Sequence, residues 1–304
     1  MHATALDRGI VLREPISRPD TETEVKTLVL ATSLVLSASI AASAADLPAR
    51  YTKAPPLAAP IDSWTGFYVG GNVGGQWGSA DPTTSTIYSP TGYFATSSIP
   101  AINALGQQSF NSSSVTGGFT AGYNWQVSNI VFGLEGDINY FGFKGSATSS
   151  ALYPCCAPTG FTIASSASAD WLATIRGRLG VVATPNLLLY ATGGAAIADV
   201  KANFAFTDNF ASATESGSIS STRVGWTAGG GGEYSIGNGW SVKAEYLYVD
   251  LGRSGINSTN LTSSFFALRF PSPTNVYTHS VDVRSNIVRV GLNYKFGAPV
   301  VAKY

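Results

Sequence analysis

The stretch Val288-Arg289-Val290-Gly291-Leu292-Asn293-Tyr294-Lys295-Phe296 decides how this chain folds. Its apolar residues occupy every second position, and Arg289, Gly291, Asn293 and Lys295 fill the places between. A period of two belongs to an extended strand, in which successive side chains point to opposite faces. One face of this strand is wholly apolar and ends in aromatic rings. The other is small, polar or charged.

The pattern recurs upstream. Trp240, Val242, Ala244, Tyr246 and Tyr248 oppose Ser241, Lys243, Glu245 and Leu247; Trp171, Ala173, Ile175, Leu179 and Val181 oppose Thr174, Arg176, Arg178 and Gly180; Phe132, Leu134, Ile138 and Tyr140 oppose Gly133, Glu135, Asp137 and Asn139. Strands are expected near Gly66–Gly78, Ser114–Val127, Ile130–Lys144, Ser168–Ala183, Leu187–Asn203, Thr222–Ile236, Trp240–Gly252 and Val281–Phe296. Ser128-Asn129, Thr184-Pro185-Asn186 and Gly237-Asn238-Gly239 are tight-turn signals between neighbours. The other connections, 79–113, 145–167, 204–221 and 253–280, are rich in Ser, Thr, Asn and Pro and read as long loops. Strict alternation of short and long connections predicts an antiparallel up-and-down barrel crossing an outer membrane, with tight turns inside and four long loops outside.

A soluble sandwich would alternate in the same way with its apolar face turned inward. Two features favour the membrane. Aromatic residues sit at both ends of the apolar face: Phe67, Trp125, Phe132, Trp240, Tyr294 and Phe296 near the turns, and Trp77, Tyr140, Trp171, Trp226 and Tyr248 toward the loops. Such girdles suit the two headgroup interfaces. The polar face, moreover, holds both signs of charge in near balance: Glu135, Asp137, Glu233 and Glu245 against Arg176, Arg178, Lys243, Arg289 and Lys295. These are expected to pair across a narrow lumen. An eight-stranded barrel has an interior just wide enough for side chains to fill it, so the lumen should be plugged. The run Gly229–Gly232 allows close packing at its wall.

Composition agrees. With 18 basic and 18 acidic residues among 304, the chain is 12% charged, about half the usual share. Zero net charge removes the electrostatic case for a nucleic-acid partner. Upstream, Lys26, the apolar run to Ile40 and Ala42-Ser43-Ala44 read as a secretory signal peptide over 25–45. The polar Met1–Glu24 does not resemble a signal's first segment, so translation is expected to begin at Val25, with 1–24 an extension outside the exported protein. Export near Ala45 leaves 14 basic against 13 acidic residues. A proline-rich periplasmic tail over 46–63 then precedes the barrel, 64–304.

The segments Gly66–Gly74, Val131–Asp137, Trp171–Gly180, Leu189–Gly194, Lys243–Gly252 and Val288–Gly297 resemble the small porin-like outer-membrane proteins of alphaproteobacteria, the outer membrane immunogenic protein type within the OmpA-like barrel superfamily. The resemblance runs from about Asp46 to the C-terminus, strongly in strands and weakly in loops. It implies an eight-stranded barrel and makes Arg289, Gly291, Tyr294 and Phe296 the last-strand signal read by the barrel-insertion machinery. The tail after Phe296 departs from the pattern, and a peptidoglycan-binding activity is not expected. Haem binding, attributed to some relatives, would have only His279, the cysteines and tyrosines as ligands here.

Other chemistry is weighed against blander accounts. His279 beside Ser280 invites a lipid-deacylating reading, but adjacent strand residues point to opposite faces, so a solvated loop histidine is expected. Glu135 and Asp137 suit an acid–base pair less well than paired lumen charges. The glycine runs precede no amphipathic helix and make no phosphate loop. Cys155-Cys156 falls in an external loop, where a vicinal disulfide or a bond to a partner is open; a redox catalyst would want Cys-x-x-Cys. The sequence thus predicts a non-enzymatic barrel without cofactor or metal that supports the envelope, presents loops and has at most a narrow pore. A diffusion porin is the first alternative, and a lipid-modifying enzyme or haem-binding surface protein the second. The expected partners are outer-membrane lipid, lipopolysaccharide and the insertion machinery, with a homo-oligomer open.

Overall fold

The computed structural model describes residues 63–263 and 275–297. The expected extension, signal peptide and nearly all of the proline-rich tail lie outside these residues. Ten strands and one helix follow in order: β1 Gly66–Ala80, β2 Thr83–Thr86, α1 Ser98–Leu105, β3 Phe110–Val127, β4 Ile130–Leu152, β5 Gly160–Thr184, β6 Leu187–Asp208, β7 Ala213–Gly237, β8 Trp240–Ser258, β9 Thr262–Ser263 and β10 Tyr277–Lys295. Eight long strands pair antiparallel in the order β1-β3-β4-β5-β6-β7-β8-β10, and β10 pairs back onto β1. The sheet closes on itself and leaves no edge at this level. At one end the connections are tight: Ser128 and Asn238 adopt positive φ, as do the flanking Gly237 and Gly239, which are the backbone geometries such hairpins require.

Alternation sets the faces as the sequence predicted. Phe119 is 75% exposed and Ile175 63% exposed on the outer surface, while Glu135, Arg176, Lys243 and Arg289 are buried inside. A wall of exposed aliphatic side chains over a charged interior is unstable in water and suits hydrocarbon. The two aromatic belts bound that wall. Near the tight turns Phe67 stacks on Phe296 at 5.7 Å, Trp240 meets Tyr294 at 5.1 Å and Trp125 stacks on Phe132 at 5.9 Å. Toward the other end Trp226 meets Tyr248 at 5.3 Å, Tyr140 lies opposite Trp171, and Trp77 and Tyr248 share the partner Asn286. On β4 the belt residues Phe132 and Tyr140 bound a stretch of nine residues, the length of a tilted membrane-crossing strand.

Above the second belt the structure departs from expectation. Segments 145–167 and 204–221, read as loops, are mostly strand, leaving only short turns around 153–159 and 209–212. Most of their Ser and Thr residues point outward, Ser165 being a buried exception, while Phe161, Ile163, Phe204 and Phe206 point inward and are buried, so the period of two never stopped. The first long connection carries β2, which pairs with β10, and the helix α1, which an all-β reading had not provided. The wall also changes topology here. β4 meets β3 only up to Tyr140, and β7 meets β8 only up to Trp226. Among the described residues the upper part is therefore two sheets, β4-β5-β6-β7 and β3-β1-β10-β8. Side chains stitch the seams: Thr116 Oγ1 donates to the Tyr140 carbonyl at 2.7 Å, and Arg223 Nη2 to the Arg253 carbonyl at 2.5 Å.

Between the sheets lies an apolar core that includes Phe141, Phe143, Leu172, Phe204 and Leu251. A second cluster of Phe94, Ile102, Tyr153, Phe161, Phe206 and Tyr277 is roofed by α1. The switch from polar to apolar interior occurs at bulges at the belt. On β4 the register shifts between Tyr140 and Phe143, where Gly142 takes φ +58°; glycine supplies this conformation without steric cost.

Candidate functional site

The lumen at membrane level is where the predicted charges meet. Glu135 and Asp137 from β4 face Arg176 and Arg178 from β5, Glu233 from β7, Lys243 and Glu245 from β8 and Arg289 from β10. All are buried. Arg176 is the hub: Nη2 lies 2.5 Å from Glu135 Oε1 and 2.7 Å from Asp137 Oδ2, and Nη1 lies 3.1 Å from Glu245 Oε1. Arg289 Nη2 joins Asp137 at 2.9 Å and Glu245 at 2.6 Å. Lys243 Nζ reaches Glu135 Oε2 at 2.9 Å, and Arg178 Nη2 reaches Glu233 Oε2 at 2.8 Å. Four acids thus stand against four bases, and sealed charges of this kind are tolerable only when matched and hydrogen-bonded. Lys295 is placed apart. It lies half-exposed at the turn end, where Nζ donates to the Ser63 carbonyl.

Several members of the cluster escaped sequence reading. Tyr68 Oη donates to Glu135 Oε2 at 2.7 Å and accepts from Arg178 Nη1 at 3.0 Å. Tyr190 Oη donates to Glu245 Oε1 at 3.0 Å, and its ring lies 3.9 Å beneath the Arg178 guanidinium, a cation–π stack. Thr174 Oγ1 donates to Asp137, and Ser241 Oγ and Asn293 Nδ2 donate to Glu233. Parity on β1 and β6 assigns Tyr68 and Tyr190 inward, a signal overshadowed by their resemblance to girdle aromatics. At the turn end Trp64 is buried against Val131, Leu188 and Tyr190 and stops the mouth of the barrel.

The four residues that the resemblance suggests as an insertion signal divide between faces. Arg289 belongs to the charge cluster, and Tyr294 and Phe296 to the outer belt. A Cβ on Gly291 would stand 3.2 Å from the Lys243 side chain, so glycine there leaves room for the lysine to cross the lumen. Cys155 and Cys156 are bonded to each other in the turn between β4 and β5.

His279 corrects an expectation. It is fully buried, not solvated: Nε2 lies 3.0 Å from Glu215 Oε1, Nδ1 lies 3.0 Å from Thr84 Oγ1, and the ring stacks on Phe204 at 4.7 Å. The upper strands extend past it and β2 closes over it, which the loop reading could not foresee. Ser258 Oγ approaches the same Nε2 at 3.3 Å and also donates to Glu215. Serine and carboxylate therefore crowd one ring nitrogen, whereas a relay needs them on opposite nitrogens. Both ring nitrogens are engaged and inaccessible, which also removes His279 as an exposed haem ligand. Among the described residues no group of three or more His, Cys, Asp or Glu side chains is placed to hold a metal ion.

The connections above the belt are tied together at Asp208. Tyr93 and Tyr153, from two different connections, donate to Asp208 Oδ2 at 2.6 and 2.9 Å, and Oδ1 accepts from the Ala213 amide at 2.8 Å. Burial first, and the Asp208 carboxylate second, push the Tyr93 phenol above its ordinary range; the Tyr153 phenol is raised by the same causes.

A closed eight-stranded wall, apolar outside and ionic within, is matched over residues 30–296 by the family model described as "Outer membrane protein beta-barrel domain". The chain belongs to that family. It is a β-barrel protein of the outer membrane, and its tight turns are the periplasmic end and its long connections the extracellular one. Among its relatives, the 31 kDa outer-membrane immunogenic protein of Brucella melitensis biotype 1 is 36% identical over 275 residues, covering 90% of this chain and 100% of the relative. The 25 kDa outer-membrane immunogenic protein of Brucella abortus biovar 1 is 26% identical over 277 residues, covering 90% and 99%. Among solved structures, Neisserial surface protein A aligns with 76% of this chain and 98% of its own at a TM-score of 0.31 and 15% identity.

Proposed function

We propose that this outer-membrane barrel is a non-enzymatic envelope protein whose lumen is sealed and whose outer half holds surface epitopes in a fixed shape. The observation that carries the reading is the neutral cluster of four carboxylates and four cations across the lumen. Opening it to ions would require separating several buried pairs, each costly to break from one side. Trp64 below and the apolar core above support the same conclusion. The histidine site lacks the geometry of a nucleophile relay, which supports a non-catalytic role. The relatives' description as immunogenic fits a protein whose connections face the exterior.

Planar-bilayer recording from the refolded full chain tests this against the diffusion-porin alternative. The sealed lumen predicts no steady unitary steps. Regular conductance at the nanosiemens scale would overturn it.

A further inference from the structure

The outer face of the extracellular sheet β4-β5-β6-β7 has a chemistry that the sealed-barrel reading does not use. Register places Ser150, Thr162, Thr207, Thr214 and Thr262 in one row across five strands. The hydroxyls of Ser150 and Thr162 lie 2.8 Å apart, and those of Thr214 and Thr262 3.1 Å apart. Two rows nearer the membrane, Ser146, Ser166, Asn203 and Ser218 form a second polar row, and Ala164 and Ala205 lie between the rows and keep the surface low. Along the upper rim runs a groove of about 460 Å³ bordered by Ser150, Leu152, Thr162, Thr207 and Asn209.

Above Lys144, Asp170 and Lys201 this face presents no charged side chain on β4, β5 or β6 apart from Asp208, whose carboxylate is taken up by the two tyrosines. Solvated surfaces normally carry charges of both signs. The opposite sheet does so, with Arg253, Asp282 and Arg284 on its outer side. A neutral array of hydroxyls over small side chains offers donors and acceptors in a plane without charge to desolvate, which suits an uncharged sugar chain lying flat. The face also rises directly from the upper aromatic belt, so what lies against it laterally is the saccharide layer of the outer leaflet.

We propose that this hydroxyl face binds the neutral saccharide chains of the outer leaflet's glycolipids. The inference rests on the outer-membrane placement and not on the sealed lumen, so conductance bears on one and glycolipid retention on the other. The test extracts the full chain from outer membranes containing either lipopolysaccharide with a neutral oligosaccharide or a form truncated to its lipid anchor, and measures glycolipid retained per chain. The wild type should retain the saccharide-bearing form at least fivefold better than the truncated one. Thr162→Glu with Thr207→Glu should abolish that preference, and Thr162→Ala with Thr207→Ala should at least halve it. Thr278→Glu on the opposite sheet should leave it intact. All variants are judged on chains with unchanged heat-modifiable gel mobility. Equal retention of the two glycolipids by the wild type, or a preference that survives both double substitutions, would overturn the proposal.

Discussion

On β4 the inward residues Glu135, Asp137 and Asn139 give way, further along the same strand, to Phe141 and Phe143, while the outward Leu134 and Ile138 give way to Lys144, Ser146 and Thr148. The strand continues and its solvent changes. Below the upper belt the outside is hydrocarbon, so apolar side chains face out and charges are enclosed. Above it the outside is aqueous, and the usual order of a soluble protein returns. Backbone pairing follows the same division. In lipid every N–H and C=O must be bonded, and the eight strands close into a ring. In water an edge can be solvated, and the wall opens into two sheets stitched by Thr116 and Arg223. One run of strands thus contains a barrel and a sandwich, separated by bulges such as that at Gly142.

The comparison can be broken at several points. The largest effect is expected from Arg176→Ala, which leaves Glu135, Asp137 and Glu245 without their shared cation; it should cost about 3–5 kcal/mol, read as a lowered urea midpoint in lipid vesicles. Phe206→Ala, in the sandwich core, should cost about 3 kcal/mol, but locally. Hydrogen exchange should accelerate at 160–165 and 204–208 and stay slow at 130–140; equal acceleration in both would mean that the halves unfold as one unit.

A single kind of substitution sharpens the contrast. Ile175→Lys, facing mid-bilayer, should destabilise by about 2–4 kcal/mol, whereas Thr148→Lys, facing water, should change stability by no more than about 0.5 kcal/mol. The smallest effect is a pH dependence. Because the Tyr93 and Tyr153 phenols titrate above their ordinary range in the folded state, their contribution is complete below an unfolded value of about 10 and declines as pH rises beyond it. Proteolysis of the extracellular connections should therefore quicken in strongly alkaline buffer while the barrel keeps its gel mobility.

Much of this was legible in advance for a simple reason. A tight hairpin fixes register, register fixes parity, and parity assigns each strand residue to a face. That logic placed Glu135, Asp137, Arg176, Arg178, Glu233, Lys243, Glu245 and Arg289 on one side without knowledge of their partners. It failed where composition was allowed to override period. Ser and Thr between 145 and 167 suggest a loop although Phe161, Ile163 and Ala167 continue the inward series, and His279 looks solvated only if the strands around it stop short. Tyr68 and Tyr190 are hard to assign because an aromatic residue near a belt has two possible homes, and only parity on its own strand separates them.

Sequence alone determined the closed barrel, its direction through the membrane and the chemistry of its two faces, since all three follow from a local period and from connection length. The tertiary structure alone decided which acid meets which base, that Lys295 stands apart from the other cations, that Trp64 and α1 close the two ends, and that the ring parts into two sheets outside the membrane. These are contacts between residues tens to hundreds of positions apart. They depend on strand stagger and on the level at which bilayer gives way to water, and no local pattern encodes either.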